Sequence, residues 1–423
     1  MAHVNNPYAD GPPDYFQLAR DVPRFAPFLR PTPHGLSTID YKNEDAALSS
    51  ALLERDFGLR IELPRDRLCP MIPVEYAAFI LELVHLIPHR SPHVRGLDIG
   101  TGASAIYALL VVKMQPDAFV YASEVDKDSQ YYAKRNVDAN DLAAQVRIVC
   151  SSLNEHPLFP EETWADIELD FTMCNPPFYE SRSEIEALAA GKNQQPRAVC
   201  TGASNELITE GGEVKFVGRM IEESTQIGNR IRNESIPNFA LLSFRKLDCQ
   251  ITNYIVHALS SGQTTRHILV WSFSVWRLPQ AHAHITPFTA KLSPRSNVAT
   301  YRPPSTMDAP TLQHLVITIL GALDDVTTKH FASGVVQMTA VRNSWSRAAR
   351  RKAQNPSHID IVGQDLASIG DKHIEAAFRI QQDNGAGAGC LLQGEWMRGS
   401  EEVRADWLKL WAHVTRKISD HKP

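Results

Sequence analysis

Cysteine is sparse in this chain of 423 residues: six are scattered at 69, 150, 174, 200, 249 and 390, with no Cys-x-x-Cys pair. That spacing indicates neither a disulfide framework nor a thiolate metal site, so no metal is expected. No apolar stretch reaches membrane-spanning length; Tyr76-Ala-Ala-Phe-Ile-Leu81 is soon broken by Glu82 and His85, so no membrane is expected as a partner. The N-terminus, Met1-Ala-His-Val-Asn-Asn-Pro7, lacks the basic and apolar regions of a signal peptide, and an intracellular protein is expected. Neither charge sign dominates: a net charge of −5 excludes wholesale coating of a polyanion, which must instead be met by local patches. There is no internal repeat. What remains is ordinary for a soluble protein. A hydrophobic fraction of 43% suffices for substantial cores, and the length suits one large domain with additions, or two domains.

The most informative segment is Cys174-Asn-Pro-Pro-Phe178, directly after the apolar, strand-like stretch Glu168-Leu-Asp-Phe-Thr-Met173. Two consecutive prolines can neither continue a strand ladder nor enter a helix interior, so the backbone leaves the sheet in a rigid, extended turn. Such a turn suits an exocyclic amino group. The Asn175 amide oxygen and the Pro176 carbonyl accept its two hydrogens, Pro177 stiffens the turn, and Phe178 offers a flat face to a base. Acceptors that favour a tetrahedral nitrogen make an otherwise delocalised amine nucleophilic. Cys174 reads as strand filler rather than as a nucleophile.

Upstream, strand-like Val94-Arg-Gly-Leu-Asp-Ile99 runs into Gly100-Thr-Gly102-Ala-Ser-Ala105 and then the apolar helical run Ile106 to Val112. Strand, glycine turn and helix start form a nucleotide-type cofactor loop. A second strand, Phe119-Val-Tyr-Ala-Ser-Glu124, ends in a carboxylate about twenty residues past the loop, the spacing for ribose hydroxyls. The loop alone would also hold NAD. Asp98 favours a cofactor with a cationic amino acid moiety over one with a pyrophosphate, and with the Asn-Pro-Pro-Phe turn this points to S-adenosylmethionine and methyl transfer to an amine. The expected cofactor residues are Asp98, Gly100, Thr101, Gly102, Ala103, Ser104, Glu124, Ser151 and Asn175.

From Val94 to about Phe273 strands and helices alternate, which implies an α/β fold with a mostly parallel sheet covered on both faces. Helices are expected at 43–57, 73–87, 103–115, 126–140, 211–230 and 247–260, with further strands at 237–244 and 266–273. The segment 279–310 reads as a loop or linker. Beyond it, 312–323 is helical or strand-like, a helix runs toward Lys352, and the tail carries a hairpin at 375–396. A last helix follows with Trp407, Leu408, Leu410 and Trp411 on its apolar side. The long polar segment between Tyr179 and Gly212 reads as a substrate lid, with Arg182, Lys192 and Arg197 as phosphate contacts. A basic cluster, Arg347, Arg350 and Arg351, follows Trp345, which is expected to pack inward; a solvated helix end is the alternative for it. Arg20, Arg24 and Arg30 form a weaker set.

The ordered motifs resemble the methyltransferase-like sixteen family of RNA adenine-N6 methyltransferases acting on U6 small nuclear RNA, and their bacterial relatives acting on large-subunit ribosomal RNA. The matching residues are Pro12-Pro-Asp-Tyr15, Leu53-Glu-Arg-Asp-Phe-Gly-Leu59, Leu97-Asp-Ile-Gly-Thr-Gly-Ala-Ser104, Ser123-Glu-Val-Asp126 and Tyr132-Ala-Lys-Arg-Asn136. Cys174-Asn-Pro-Pro-Phe178, Glu210-Gly-Gly-Glu-Val-Lys-Phe216, Trp271-Ser-Phe273 and Asn343-Ser-Trp345 complete the match, over roughly residues 10–352. By itself the Asn-Pro-Pro-Phe turn leaves protein glutamine and other nucleic acids open as substrates, and a non-catalytic RNA-binding protein is also compatible with the fold. The resemblance implies a class I Rossmann-like, S-adenosylmethionine-dependent methyltransferase. It implies an N-terminal RNA-binding helical extension at 1–90, the catalytic domain at 91–352 and a small C-terminal α+β module at 353–423. It further implies that Gly100 and Gly102 border the cofactor, Glu124 holds its ribose, and Asn175 to Phe178 hold an unstacked adenine of a structured RNA in the nucleus, with the cytoplasm also open. Glu75 stands where the family places a basic cofactor contact.

Overall fold

The computed structural model describes residues 14–31, 37–39, 45–64, 67, 73–86, 93–150, 158–163, 169–190, 204–228, 237–242, 251–261, 264–283, 295–331, 333–354, 374–383 and 389–421. They form two compact units, residues 1–250 with 256–273 and residues 251–255 with 274–423.

The first unit begins with α1 (Tyr15–Asp21), where the Asp14 side chain accepts the N–H groups of Phe16 and Gln17 at 2.8 and 3.1 Å. This is an N-cap, satisfying donors that the first helical turn leaves free. After a short 3-10 turn, β1 (Leu29–Pro31) and β2 (Ser37–Ile39) pair antiparallel, and α2 (Asp45–Phe57) follows. Leu18, Val22, Phe25 and Ala51 close a small core among these elements. The next helix is α3 (Pro73–Leu86).

The main sheet contains β3 (Arg95–Ile99), β4 (Phe119–Glu124), β5 (Val146–Cys150), β6 (Phe171–Cys174), β7 (Pro237–Leu242), β8 (Tyr254–Ser261) and β9 (Thr264–Ser272), in the order β5-β4-β3-β6-β7-β9-β8. The first five strands of that order are parallel, whereas β9 runs antiparallel to β7. Burial follows position in the sheet. Every residue of central β6 is buried, while β5, at one edge, buries only Val146 and Val149. Accompanying these strands are α4 (Ile106–Met114), α5 (Lys127–Ala139), α6 (Arg182–Ala190), α7 (Ser204–Leu207) and α8 (Gly212–Gly228). Residues Ile106 to Val112 of α4 are all buried, as an apolar run without a polar face requires. Trp271 on β9 is wholly buried and donates its indole N–H to Ser224 Oγ on α8 at 3.0 Å.

The second unit contains a fully antiparallel sheet of β10 (Val298–Tyr301), β11 (Val326–Phe331), β12 (Val335–Ala340), β13 (Ile374–Asp383) and β14 (Gly389–Arg398), in the order β10-β14-β13-β12-β11. Its apolar side chains join those of α9 (Ala309–Gly321) and the C-terminal helix in one core. That core includes Leu312, Val316, Val336, Phe378, Leu392, Trp407 and Leu410. Between them lies α10 (Arg347–Gln354), and α11 (Arg404–Ser419) ends the fold.

Three expectations change. The helix expected at 247–260 is instead strand β8 from Tyr254 onward, with residues 247–250 outside the described set. Only two residues separate it from β9, which makes pairing as a second strand the short route. The boundary expected at 352/353 is crossed by the ladder between β12 and β13, where Val336 opposes Phe378. A module starting at 353 would break that sheet, and the segment read as a linker contributes β10 to it. Finally, Leu408 is 49% exposed while Trp407 and Leu410 are buried, because the helix turns its own neighbouring position to solvent.

Candidate active site

The glycine loop sits where β3 meets α4. Gly100 and Gly102 have φ of 68° and 66°, left-handed values that side chains with a Cβ resist. Backbone and side chains pin the loop on both sides. Thr101 N–H donates to the Ser123 carbonyl at 2.9 Å, Thr101 Oγ1 donates to Asp98 Oδ2 at 2.6 Å, and Gly102 N–H donates to Glu124 Oε2 at 2.8 Å. The Ala103 carbonyl accepts from Asn136 Nδ2 at 2.9 Å, and Ser104 Oγ accepts the N–H of Ile106 at 3.3 Å. Asn136 also exchanges hydrogen bonds with the backbone of Glu62 at 2.8 and 3.0 Å. Four residues on, at the C-terminal cap of α5, Asn140 does the same with Arg60 at 2.8 Å both ways. The two asparagines therefore act as a short artificial strand edge, tying the chain after Leu59 to the loop.

Two acidic side chains, Asp98 and Glu124, are buried at the loop. Asp98 is 1% exposed, and burial pushes its carboxyl up to about 7, with Glu124 adding repulsion and the Thr101 hydroxyl opposing the shift. Burial also raises Glu124, against the three backbone N–H groups it accepts. Its Oε1 takes Val125 and Asp126 at 2.8 and 2.9 Å, so Oε2 retains the acceptor position that a ribose hydroxyl needs. Among the described residues, its chain neighbours aside, no atom lies within 4 Å of the space a side chain would take at Gly100. Backbone open to a ligand, beside a buried carboxyl that a nearby cation would ionise, fits S-adenosylmethionine rather than a pyrophosphate cofactor.

Cys174 lies opposite Ile99 in the β3–β6 ladder, so the Asn175-Pro-Pro-Phe178 turn departs beside the glycine loop. The Asn175 Oδ1 atom is buried and has no hydrogen-bond partner among the described residues. Buried polar atoms are rarely left so. Pro176 is buried and Phe178 is half-buried, its face approached by the Arg266 guanidinium from β9 at 5.8 Å. Tyr179 N–H donates to the Leu207 carbonyl at 2.9 Å and Thr209 N–H donates back to the Tyr179 carbonyl at 3.0 Å, a single parallel bridge that holds the far end of the turn. The Cys174 thiol is raised well above its ordinary range by burial, then by Asp98 and Glu124, and is inert filler.

The segment read as an irregular lid contains α6 and α7. Ser181 Oγ accepts the N–H of Glu184 at 3.2 Å while Glu184 Oε2 accepts that of Glu180 at 2.8 Å, a reciprocal cap that starts α6. Arg182 is exposed on its first turn; Lys192, Arg197 and Ser151 lie outside the described residues. In the second unit Trp345 packs inward, 2% exposed, with its indole N–H on the Asp406 carbonyl at 2.9 Å. Arg347 and Arg351 are exposed, and the side chain of Arg350 is outside the described set. Glu75 is half-buried in the first turn of α3, its carboxyl raised by burial. Sequence reasoning missed Arg266, Asn136 and Asn140. Only the asparagines left a signal, two amides at helical i, i+4 spacing.

Sheet order, glycine loop and Asn-Pro-Pro-Phe turn define a class I S-adenosylmethionine-dependent methyltransferase fold. More narrowly, the chain belongs to the family described as RNA methyltransferase, which matches residues 1–275. It is 32% identical over 347 residues to the U6 small nuclear RNA (adenine-(43)-N(6))-methyltransferase of Schizosaccharomyces pombe, covering 76% of this chain and 84% of that one. It is 31% identical over 384 residues to the RNA N(6)-adenosine-methyltransferase of Danio rerio, covering 84% and 80%. Among solved structures, the human Mettl16 catalytic domain in complex with MAT2A 3'UTR hairpin 1 superposes with a TM-score of 0.55 at 32% identity, over 64% of this chain and 95% of that one. The N-terminal domain of human METTL16 in complex with SAH does so with a TM-score of 0.50 at 30% identity, over 64% and 98%.

Proposed function

We propose that this protein transfers a methyl group from S-adenosylmethionine to N6 of an unstacked adenine in a structured RNA, U6 small nuclear RNA being the substrate. The observation that carries the reading is the buried Oδ1 of Asn175, which has no hydrogen-bond partner among the described residues. Such an acceptor suits the exocyclic N–H of a base. The choice of U6 RNA follows the substrate of the fission-yeast relative, and with it goes a nuclear location.

When bound, S-adenosylmethionine supplies an electrophilic methyl group. Asp98 holds cationic charge, Gly100 to Ser104 present backbone to the cofactor, and Glu124 takes the ribose, with Ser151 as a further cofactor contact. Asn175 Oδ1 and the Pro176 carbonyl accept the two hydrogens of the adenine amine, which keeps its lone pair directed at the methyl carbon. Pro177 fixes the turn, and Phe178 stacks on the base under the Arg266 charge. The base must leave its stack to reach this pocket, which favours a bulge or loop. Arg182, Lys192 and Arg197 contact RNA phosphates, as do Arg347, Arg350 and Arg351.

The test is a methylation assay with labelled S-adenosylmethionine offered in parallel to a U6 RNA hairpin, single-stranded DNA and a protein fraction, followed by nucleoside mass spectrometry. N6-methyladenosine in the RNA alone is the expected result. Label in protein glutamine or DNA, or none anywhere, would overturn the reading.

A further inference from the structure

Asn175 can accept an amine hydrogen only if its side chain leaves the backbone in one direction, and two peptide planes set that direction. The plane after Asn175 is constrained by Pro176, since a residue before proline is confined to extended backbone. The plane before it, Cys174–Asn175, lies where β6 ends, one residue past the last pairings of the strand, Cys174 with Ile99 and with Ala240. There the carbonyl of Cys174 accepts a hydrogen bond from the hydroxyl of Tyr76, at 3.1 Å, from a residue 98 positions upstream. Tyr76 lies on α3, is 0% exposed, and meets the ring of Tyr107 edge-on with centroids 5.1 Å apart. Tyr107 belongs to α4, the helix that the glycine loop opens.

We propose that Tyr76 is a positioning residue for methyl transfer: by holding the Cys174 carbonyl from a ring braced on α4, it fixes the peptide plane that aims Asn175. This inference rests on the reading of Asn175 as the amine acceptor. The hydroxyl is well suited to the task, because burial keeps it protonated, as a donor, across the working pH range. The hydroxyl holds the carbonyl from which the acceptor turn departs, and the ring packs at right angles to that of Tyr107 on the donor-side helix. Donor loop and acceptor turn are thereby registered by one rigid side chain rather than by two independent loops. Placement errors of about 1 Å at a reacting centre cost about a hundredfold in rate, which is the scale at stake.

Tyr76→Phe removes the hydroxyl and keeps the ring. The expected result is a kcat lowered roughly 10- to 100-fold, with KM for RNA and cofactor affinity both within about threefold of wild type. Hydrogen exchange in the peptide spanning residues 174–180 should be faster while that of β4 is unchanged. Phe79→Leu, also at a buried position on the same helix, where the native ring stacks on His257 instead, serves as the packing control and should leave kcat near wild type. A kcat within about twofold of wild type for Tyr76→Phe overturns the proposal, as does a loss of kcat matched in Phe79→Leu or by cofactor affinity. If wild-type protein methylates no adenine, the functional reading fails on its own. The exchange measurement then decides Tyr76 alone: faster exchange in the turn supports its hold on the Cys174 carbonyl, and unchanged exchange overturns it.

Discussion

Glu124 Oε2 accepts the backbone N–H of Gly102 at 2.8 Å, so the carboxylate ending β4 holds the loop that follows β3. The same side chain accepts from Val125 and Asp126 through Oε1. It therefore shapes the loop before any ribose arrives. Glu124→Ala leaves three N–H groups without this acceptor, at about 1–3 kcal/mol for each one left buried. We expect a lower denaturation midpoint in urea together with at least about tenfold weaker cofactor binding by calorimetry. Loss of binding with unchanged stability would reduce Glu124 to a ligand contact only.

Asn175→Ala should leave the fold and cofactor affinity within about threefold of wild type while lowering kcat by about a hundredfold or more, the scale of a lost preorganised hydrogen-bonding group. Single-turnover kinetics on a U6 hairpin check this. Full activity in the variant would remove the turn from the mechanism.

Asp98 gives a pH dependence of definite sign. Its folded value of about 7 lies above the ordinary value of 3.8, so the folded protein holds an additional proton between them. Its contribution to stability is complete below about pH 4 and is lost as pH rises through about 7. Binding of a cation runs the other way, since it favours the ionised form. Cofactor affinity should rise up to about tenfold per pH unit below about pH 7 and level off above it. Calorimetric titrations from about pH 5.5 to about pH 8.5 should show that slope in wild type and lose it in Asp98→Asn.

Exposed Arg347 and Arg351 follow buried Trp345 on α10. Reversing both to Glu should weaken RNA binding and flatten the slope of log affinity against log salt, by about one for each phosphate that is no longer neutralised. Melting temperature should stay near wild type. Unchanged affinity across a salt series would make them a solvated helix end.

Much of this was legible in local chemistry. The two prolines dictate that the chain leaves the sheet at Asn175, wherever that strand lies. Gly100 and Gly102 announce a loop that needs left-handed backbone, and the structure gives them φ of 68° and 66°. The apolar run of α4 announced a helix buried on all sides. Tyr254 to Ser261 misled because short apolar runs suit helix and strand alike, and only pairing beside β9 decides. The boundary expected at 352/353 misled in the same way, since a polar interruption looks like a boundary whether or not strands pair across it.

By itself the sequence determined the rigidity of the turn at Asn175 and the left-handed backbone of the glycine loop, because each depends on residues within a few positions of one another. Tertiary structure alone decided which side chains serve them. Tyr76 reaches the Cys174 carbonyl, Arg266 reaches Phe178, and Asn136 joins Glu62 to Ala103, through contacts that no local pattern encodes. Phe178 and Asn175 can be read from the chain as a base holder because proline restricts what the backbone there can do. Their aim cannot, because it is set by partners that meet only when helix and sheet pack together.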